Sequence, residues 1–127
     1  MANRIFRQFA NYLENQPVFL WGEVSVGAVG APTVNASKSK GIASVARTGV
    51  GAYTITLSDP YTDFFHLGAT KTLSAGAPVA ASLVVRTVDV KGTKQITVAF
   101  VDGTGAAIEL NTGTVLNIQL QLKRSTV

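Results

Sequence analysis

Any catalytic chemistry in this chain would have to use one histidine and a few carboxylates. His66 is the only histidine, so a hydrolytic triad would have to combine it with neighbours such as Ser58 and Asp59. No nucleophile elbow surrounds Ser58, and closeness in sequence does not supply triad geometry. A lone histidine between Phe65 and Leu67 is typical of a structural residue. The sequence therefore predicts no enzymatic activity.

Metal and cofactor sites also lack the residue types that they need. The acidic residues are dispersed: Glu14, Glu23, Asp59, Asp63, Asp89, Asp102 and Glu109. Asp59 and Asp63 are spaced to share a calcium ion, but calcium takes roughly six to eight oxygen ligands. The absence of cysteine excludes disulfides and thiolate metal sites. We predict no metal and no cofactor, and we assign Asp59, Asp63 and Asp102 to turns.

Charge and hydropathy argue against nucleic acid and membrane partners. Eleven Lys and Arg against seven Asp and Glu give a net charge of +4, but the basic residues are scattered. Their only close pairs are Lys38 with Lys40 and Lys123 with Arg124, whereas nucleic-acid footprints cluster basic residues on one face. No apolar run approaches the roughly 20 residues that span a bilayer. Charged residues make up only 14% of the chain, which favours a surface partly covered by other subunits.

The elements that carry these residues are organised around positions 41–65. Large apolar residues at Tyr53, Ile55 and Leu57 alternate with Thr54 and Thr56. This period of two predicts a strand that is buried on one face only. Glycines at 49 and 51 predict a tight turn before it, and Asp-Pro at 59–60 predicts a corner after it. The segment therefore reads as strand, turn, strand and corner.

The remaining pattern predicts an all-β domain at residues 18–127. The chain is 127 residues long, the size of one domain. Seven or eight short strands at regular spacing favour an antiparallel β-sandwich or a jelly-roll-like barrel. Strands are predicted at 18–26, 79–90, 95–102 and 116–123, with further alternation at Ala106, Ile108 and Leu110. The predicted core contains Leu20, Val24, Tyr53, Ile55, Leu57, Ile96, Val98, Phe100, Ile118, Leu120 and Leu122.

Three segments have weaker patterns. Residues 27–40 are small and predict a loop or a short strand, and residues 66–78 are predicted to be rich in turns. In the strand at 79–90, Val84, Val88 and Val90 are expected to face one way. In the first strand, Phe19 and Trp21 lie on the face opposite Leu20, so we expect a helix or another chain to cover them.

Residues 1–17 form the N-terminal arm, which we expect to be helical from 3 to 14. Its apolar residues recur at helical spacing beside two arginines, and the candidate partner-binding residues are Arg4, Phe6, Arg7, Phe9, Tyr12 and Leu13. About twelve residues are marginal as an isolated helix, so the arm must pack on something. Two alternatives stay open: the arm packs on its own domain near Phe19 and Trp21, or it fastens the protein to a partner.

Two groups of residues resemble small structural proteins of tailed bacteriophages. The first is Gly41-Ile42-x-Ser44-Val45-x-Arg47-x-Gly49-x-Gly51-x-Tyr53-Thr54-Ile55-Thr56-Leu57, followed by Asp59 and Tyr61. The second is Lys94-x-Ile96-x-Val98 with Val115-x-Asn117-x-Gln119-Leu120-x-Leu122 and the ending Ser125-Thr126-Val127. Together they cover residues 18–127, and the arm lies outside the resemblance.

The resemblance implies a virion component that is made in the host cytoplasm. Its first expectation is a head decoration (cement) protein that binds the major capsid protein, or another virion protein, as a homo-oligomer, with a trimer favoured. The alternatives are a tail, fibre or head–tail component, or a carbohydrate-binding β-sandwich module. The carbohydrate-binding alternative would favour exposed tryptophans with clustered acids or asparagines, whereas this chain has the single tryptophan Trp21 in a hydrophobic strand.

Overall fold

The computed structural model describes residues 17–72 and 81–123, which form two antiparallel sheets of four strands each. The strands are β1 (Pro17–Val26), β2 (Pro32–Val34), β3 (Ile42–Gly49), β4 (Ala52–Leu57), β5 (Asp63–Thr72), β6 (Ser82–Asp89), β7 (Gln95–Val101) and β8 (Val115–Lys123). Two short 3₁₀ turns, Ala28–Gly30 and Ala36–Lys38, flank β2. The expected all-β class is confirmed for these residues, while the predicted helical arm lies outside them.

The first sheet has the strand order β2-β1-β8-β5 and the second has the order β3-β4-β7-β6. The first strand and the last strand are therefore neighbours, paired from Pro17 opposite Lys123 to Ser25 opposite Val115. In the second sheet, β3 and β4 form the hairpin that the glycines at 49 and 51 predict.

The core lies where the inner faces of the two sheets meet. Every residue predicted for the core is buried, because period-two alternation places each of them on an inner face. The Tyr53 ring packs edge-on against Phe100, with ring centroids 6.0 Å apart, and the Tyr53 hydroxyl donates a hydrogen bond of 2.9 Å to the carbonyl oxygen of Gly30. A buried hydroxyl is thereby satisfied without opening the core.

Four predictions from the sequence are wrong. Asp63, predicted to lie in a turn, is the first residue of β5 and is paired with Lys123. The start of the segment predicted to be rich in turns, residues 66–72, belongs to β5, which pairs along the whole of β8. Residues 106–110 are not a strand and make only one isolated bridge, Ala107 with Val101. Val84 faces outward, whereas Val90 is buried and Val88 lies opposite the buried Ile96 at the exposed edge of the sheet, because a register shift between Val85 and Thr87 interrupts the alternation of β6.

Thr114, directly before β8, carries a buried hydroxyl with no hydrogen-bond partner among residues 17–72 and 81–123. The residue is 1% exposed, although its backbone is satisfied: its carbonyl accepts from the Val26 amide at 2.8 Å. Burying an unpaired hydroxyl costs about 1–3 kcal/mol. The hydroxyl therefore reduces the stability of the domain.

Replacing Thr114 with valine is expected to raise the free energy of unfolding by about 1 kcal/mol, because valine keeps the shape and removes the unpaired hydroxyl. Urea denaturation followed by circular dichroism measures the change. Thr114→Ser is the control: it keeps the hydroxyl and loses the methyl group, so it should be less stable than the native protein. A valine variant that is less stable than the native chain would contradict the assignment.

Candidate functional site

The outer face of the first sheet carries exposed aromatic and amide side chains. We call this surface the aromatic–amide face; it comprises Phe19 and Trp21 of β1, Asn117, Gln119 and Gln121 of β8, and His66, Gly68 and Thr70 of β5. Alternation in β1 explains it, because Leu20, Gly22 and Val24 point inward while the residues between them point outward. Phe19 and Trp21 are each 48% exposed, which is unusual for large aromatic rings.

Cross-strand pairing arranges this face in rows. The central row runs from Trp21 through Gln119 to Gly68. Because adjacent strands lie about 4.8 Å apart, the backbone positions of Trp21 and Gly68 are about 10 Å apart across β8. Gly68 has no side chain, so the row ends in open space.

That open space is a depression of about 610 Å³ beside the Trp21 ring. Its lining residues are Phe19, Leu20, Trp21, Gly68, Ala69, Thr70, Asn117, Ile118 and Gln119. A Cβ atom placed on Gly68 would lie 3.0 Å from Nε2 of His66, so the imidazole lies against the Gly68 backbone. The volume falls within the range of about 300–1,000 Å³ that is common for ligand sites.

Charged groups lie at the rim of this face and already have partners. The Lys40 ammonium lies 5.7 Å from the centroid of the Trp21 ring, a cation–π contact. Glu23 accepts a hydrogen bond of 3.1 Å from the Asn35 side-chain amide and pairs with Lys38 at 3.6 Å. Both contacts come from the β2 side of the sheet. The depression itself is lined by uncharged residues only.

A second polar cluster joins loops around the β3–β4 hairpin. The Arg47 guanidinium donates two hydrogen bonds to the Glu109 carboxylate, one of them from Nε at 3.1 Å. Arg47, with further help from the Gly51 amide, lowers the pKa of Glu109 below its ordinary value of 4.5. Burial, and after it the nearby Glu109 charge, raises the pKa of Tyr53. The bidentate pair holds residues 106–110 against the hairpin.

Replacing Glu109 with glutamine is expected to lower the melting temperature at pH 7 by a few degrees. A carboxylate whose pKa is lowered by folding contributes stability above its unfolded pKa and loses it as the pH falls through the folded value. The difference between the native protein and Glu109→Gln should therefore shrink as the pH is lowered from 5 to 3. Thermal melts monitored by circular dichroism measure it. A difference that stays constant over this range would mean that the loss comes from packing.

The residues singled out in the sequence meet different outcomes. His66 is exposed on the side of β5 away from the core, and its imidazole lies against the Gly68 backbone. Asp102 lies in the predicted turn, where the Thr104 hydroxyl and amide and the Ala106 amide lower its pKa. Asp89 plays the same role in the turn after β6, through Gly92 and Thr93, and sequence analysis missed it.

The predicted arm residues, Arg4 to Leu13, lie outside the described residues, so their binding role stays a prediction. Within residues 17–72 and 81–123, no three His, Cys, Asp or Glu side chains form a group that could hold a metal ion. The described part of the chain also contains no helix with the length and apolarity to cross a bilayer.

The depression was not anticipated from the sequence, although one signal was present. A glycine inside a strand often marks a place where another group approaches closely. Gly68 was assigned to a turn-rich segment, so its strand position was missed. Comparison with protein families, curated proteins and solved structures finds no match to this chain.

Proposed function

We propose that this protein is a non-enzymatic structural component of a virion, a decoration protein that binds the capsid lattice as an oligomer. The observation that carries the proposal is the pair of exposed phenylalanines at the end of the first sheet where the arm enters. Phe19 is 48% exposed and Phe65 is 55% exposed. Phe19 of β1 is opposite Gln121 of β8, and Gln121 is also opposite His66 of β5, the residue after Phe65. The Phe19 and Phe65 rings therefore belong to neighbouring rows at the same end of the sheet.

Exposed aromatic side chains concentrated in one place mark contact surfaces, because a monomer gains nothing by keeping them in water. The arm, which carries Phe6, Phe9, Tyr12 and Leu13, joins the domain at Pro17 beside this surface. We propose that the apolar residues of the arm and the exposed phenylalanines act on the same partner. A capsid protein or a neighbouring subunit is the partner that we propose for them.

The energetics favour an arm that acts through several anchors at once. Burying a large apolar side chain is worth roughly 1.5–3 kcal/mol, so a few anchors can offset the entropy lost when the arm is ordered. Three arms around a homotrimer would add affinity through effective concentration. Arg4 and Arg7 would orient the arm against acidic groups of the partner.

The jelly-roll connectivity belongs to the same proposal. Eight strands in two sheets are the usual number for that fold. In a jelly roll the first and last strands pair, as β1 and β8 do in the middle of the first sheet. The β3–β4 and β6–β7 pairs, which join consecutive strands within the second sheet, depart from that connectivity.

Capsid sedimentation tests the arm. The full-length double variant Phe6→Ala/Phe9→Ala should keep its unfolding curve and lose capsid binding by at least tenfold. Val50→Ala is the matched control, since it removes an exposed apolar side chain from the β3–β4 hairpin and should bind normally. If the double variant unfolds more easily than the native chain, the arm packs on its own domain, and the anchor proposal is wrong.

Counting copies per particle separates the virion locations. Quantitative mass spectrometry of purified virions should give hundreds of copies for a decoration protein. A handful of copies would instead place the protein in the tail, a fibre or the head–tail junction. A sedimenting species of only 13.3 kDa at micromolar concentration would contradict the trimer.

A further inference from the structure

The depression on the aromatic–amide face combines an aromatic wall with amide groups. The Trp21 ring has Lys40 as a cation–π partner and also borders the depression. Two side-chain amides line the same space. One belongs to Gln119, which is paired with Trp21, and the other to Asn117, two residues earlier in β8. A concave site with apolar walls and a few convergent polar groups has the usual composition of a ligand site.

The polar groups of this site specify what kind of ligand fits. Each amide offers both donors and an acceptor, so Asn117 and Gln119 can bind groups that donate and accept, as hydroxyls do. An anion or a cation would gain nothing from the lining, because none of the lining residues is charged. Glu23 and Lys38, the nearest pair of opposite charges on the β2 side, are bound to each other.

The shape of the site indicates a ring-shaped ligand. The wall at Trp21 is flat, and the far side, about two strand spacings or roughly 10 Å away, is formed by Gly68 with the His66 imidazole beside it. The surface continues along the strands on both sides of the central row. Phe19 lies in the row before it and Thr70 in the row after it. A chain of rings can therefore pass through the depression.

We propose that the depression binds a neutral polysaccharide chain. The apolar C–H face of one pyranose ring packs on Trp21, while Gln119 and Asn117 exchange hydrogen bonds with its hydroxyls. Thr70 contacts a neighbouring sugar. This binding activity goes beyond the structural role proposed above and does not depend on it, since it needs no capsid.

The chain supplies its own reporter for this site. Trp21 is the only tryptophan, so its fluorescence reports on the depression alone. Purified full-length protein is titrated with cellohexaose, maltohexaose, chitohexaose and a yeast mannan. At least one of them should give a saturable change in Trp21 emission, confirmed by calorimetry.

Three variants test the location of the binding. Gln119→Ala should weaken binding about tenfold, Trp21→Ala should abolish it by calorimetry, and Gly68→Val should block it by filling the open space. The valine is compatible with a strand, and the exposed His66 side chain can turn away from it. Gln95→Ala, which removes an exposed glutamine from the second sheet, is the matched control and should bind as the native protein does.

Each opposite result would overturn the proposal. No response to any of the four sugars would exclude a neutral polysaccharide site. Full binding by Gly68→Val would place the binding elsewhere on the chain. Tighter binding of a heparin hexasaccharide than of every neutral probe would mean that Lys40 and its neighbours attract anionic chains. None of these results bears on capsid binding, because the assay contains no capsid.

Discussion

Replacing Leu120 with alanine is expected to lower the free energy of unfolding by about 2–5 kcal/mol. Leu120 is 0% exposed in β8 and lies between Leu20 of β1 and Leu67 of β5, which are its partners on either side. Truncation removes apolar contacts in the middle of the first sheet and leaves a cavity that the strands cannot close. Guanidinium denaturation followed by Trp21 fluorescence measures the loss.

Gln119→Ala is the control for this variant, since Gln119 is the preceding residue and faces outward. It should change the stability by less than about 0.5 kcal/mol. Equal losses from both variants would contradict the assignment of inner and outer faces in β8.

Replacing Gly51 with alanine is expected to destabilise the domain by about 3 kcal/mol or more. Gly51 has a φ of 63°, a conformation that costs other residues about 1–2 kcal/mol. A Cβ atom there would overlap the carbonyl oxygen of Ile108 and lie 2.9 Å from that of Phe100. Because both contacts are to backbone atoms, a side-chain movement cannot relieve them. Thermal unfolding by circular dichroism measures the effect.

Gly103→Ala provides the comparison for Gly51→Ala. Gly103 also lies in a turn, but nothing is within 4 Å of the position that its Cβ would take. The variant should be neutral or slightly stabilising. Equal losses from Gly103→Ala and Gly51→Ala would contradict the assignment of the Gly51 effect to backbone overlap, because Gly103 has no such overlap.

The strands with large alternating side chains could be predicted from the sequence. In β4 and β8, apolar residues at Ile55, Leu57, Ile118 and Leu120 recur at every second position, and burial follows directly from this period. The turn at Asp102 could also be predicted, because the side chain satisfies backbone amides locally. A local pattern is enough to predict a strand or a turn when the residues that form it also determine its burial or its hydrogen bonds.

Elements held by pairing alone could not be predicted. β5 contains small residues such as Gly68 and Ala69, so its strand conformation depends on hydrogen bonds to β8, more than 40 positions later in the chain. Residues 106–110 alternate like a strand, yet the ion pair between Glu109 and Arg47 holds them as a loop. The depression results from the same long-range pairing, since it exists only where Gly68 lies opposite Gln119.

The position of β8 between β1 and β5 has a consequence for synthesis of the chain. β1 and β8 pair at positions as far apart as Pro17 and Lys123, and among the described strands β5 pairs with β8 alone. The second sheet contains β3, β4, β6 and β7, so all its strands are present before β8 is made. Pairing over such sequence separations is slow, because the intervening loop must close first. On the ribosome, the second sheet can therefore form early, while β1 and β5 wait for the last strand to be translated. During that interval the apolar inner faces of both sheets are exposed, and the nascent chain is most vulnerable to aggregation.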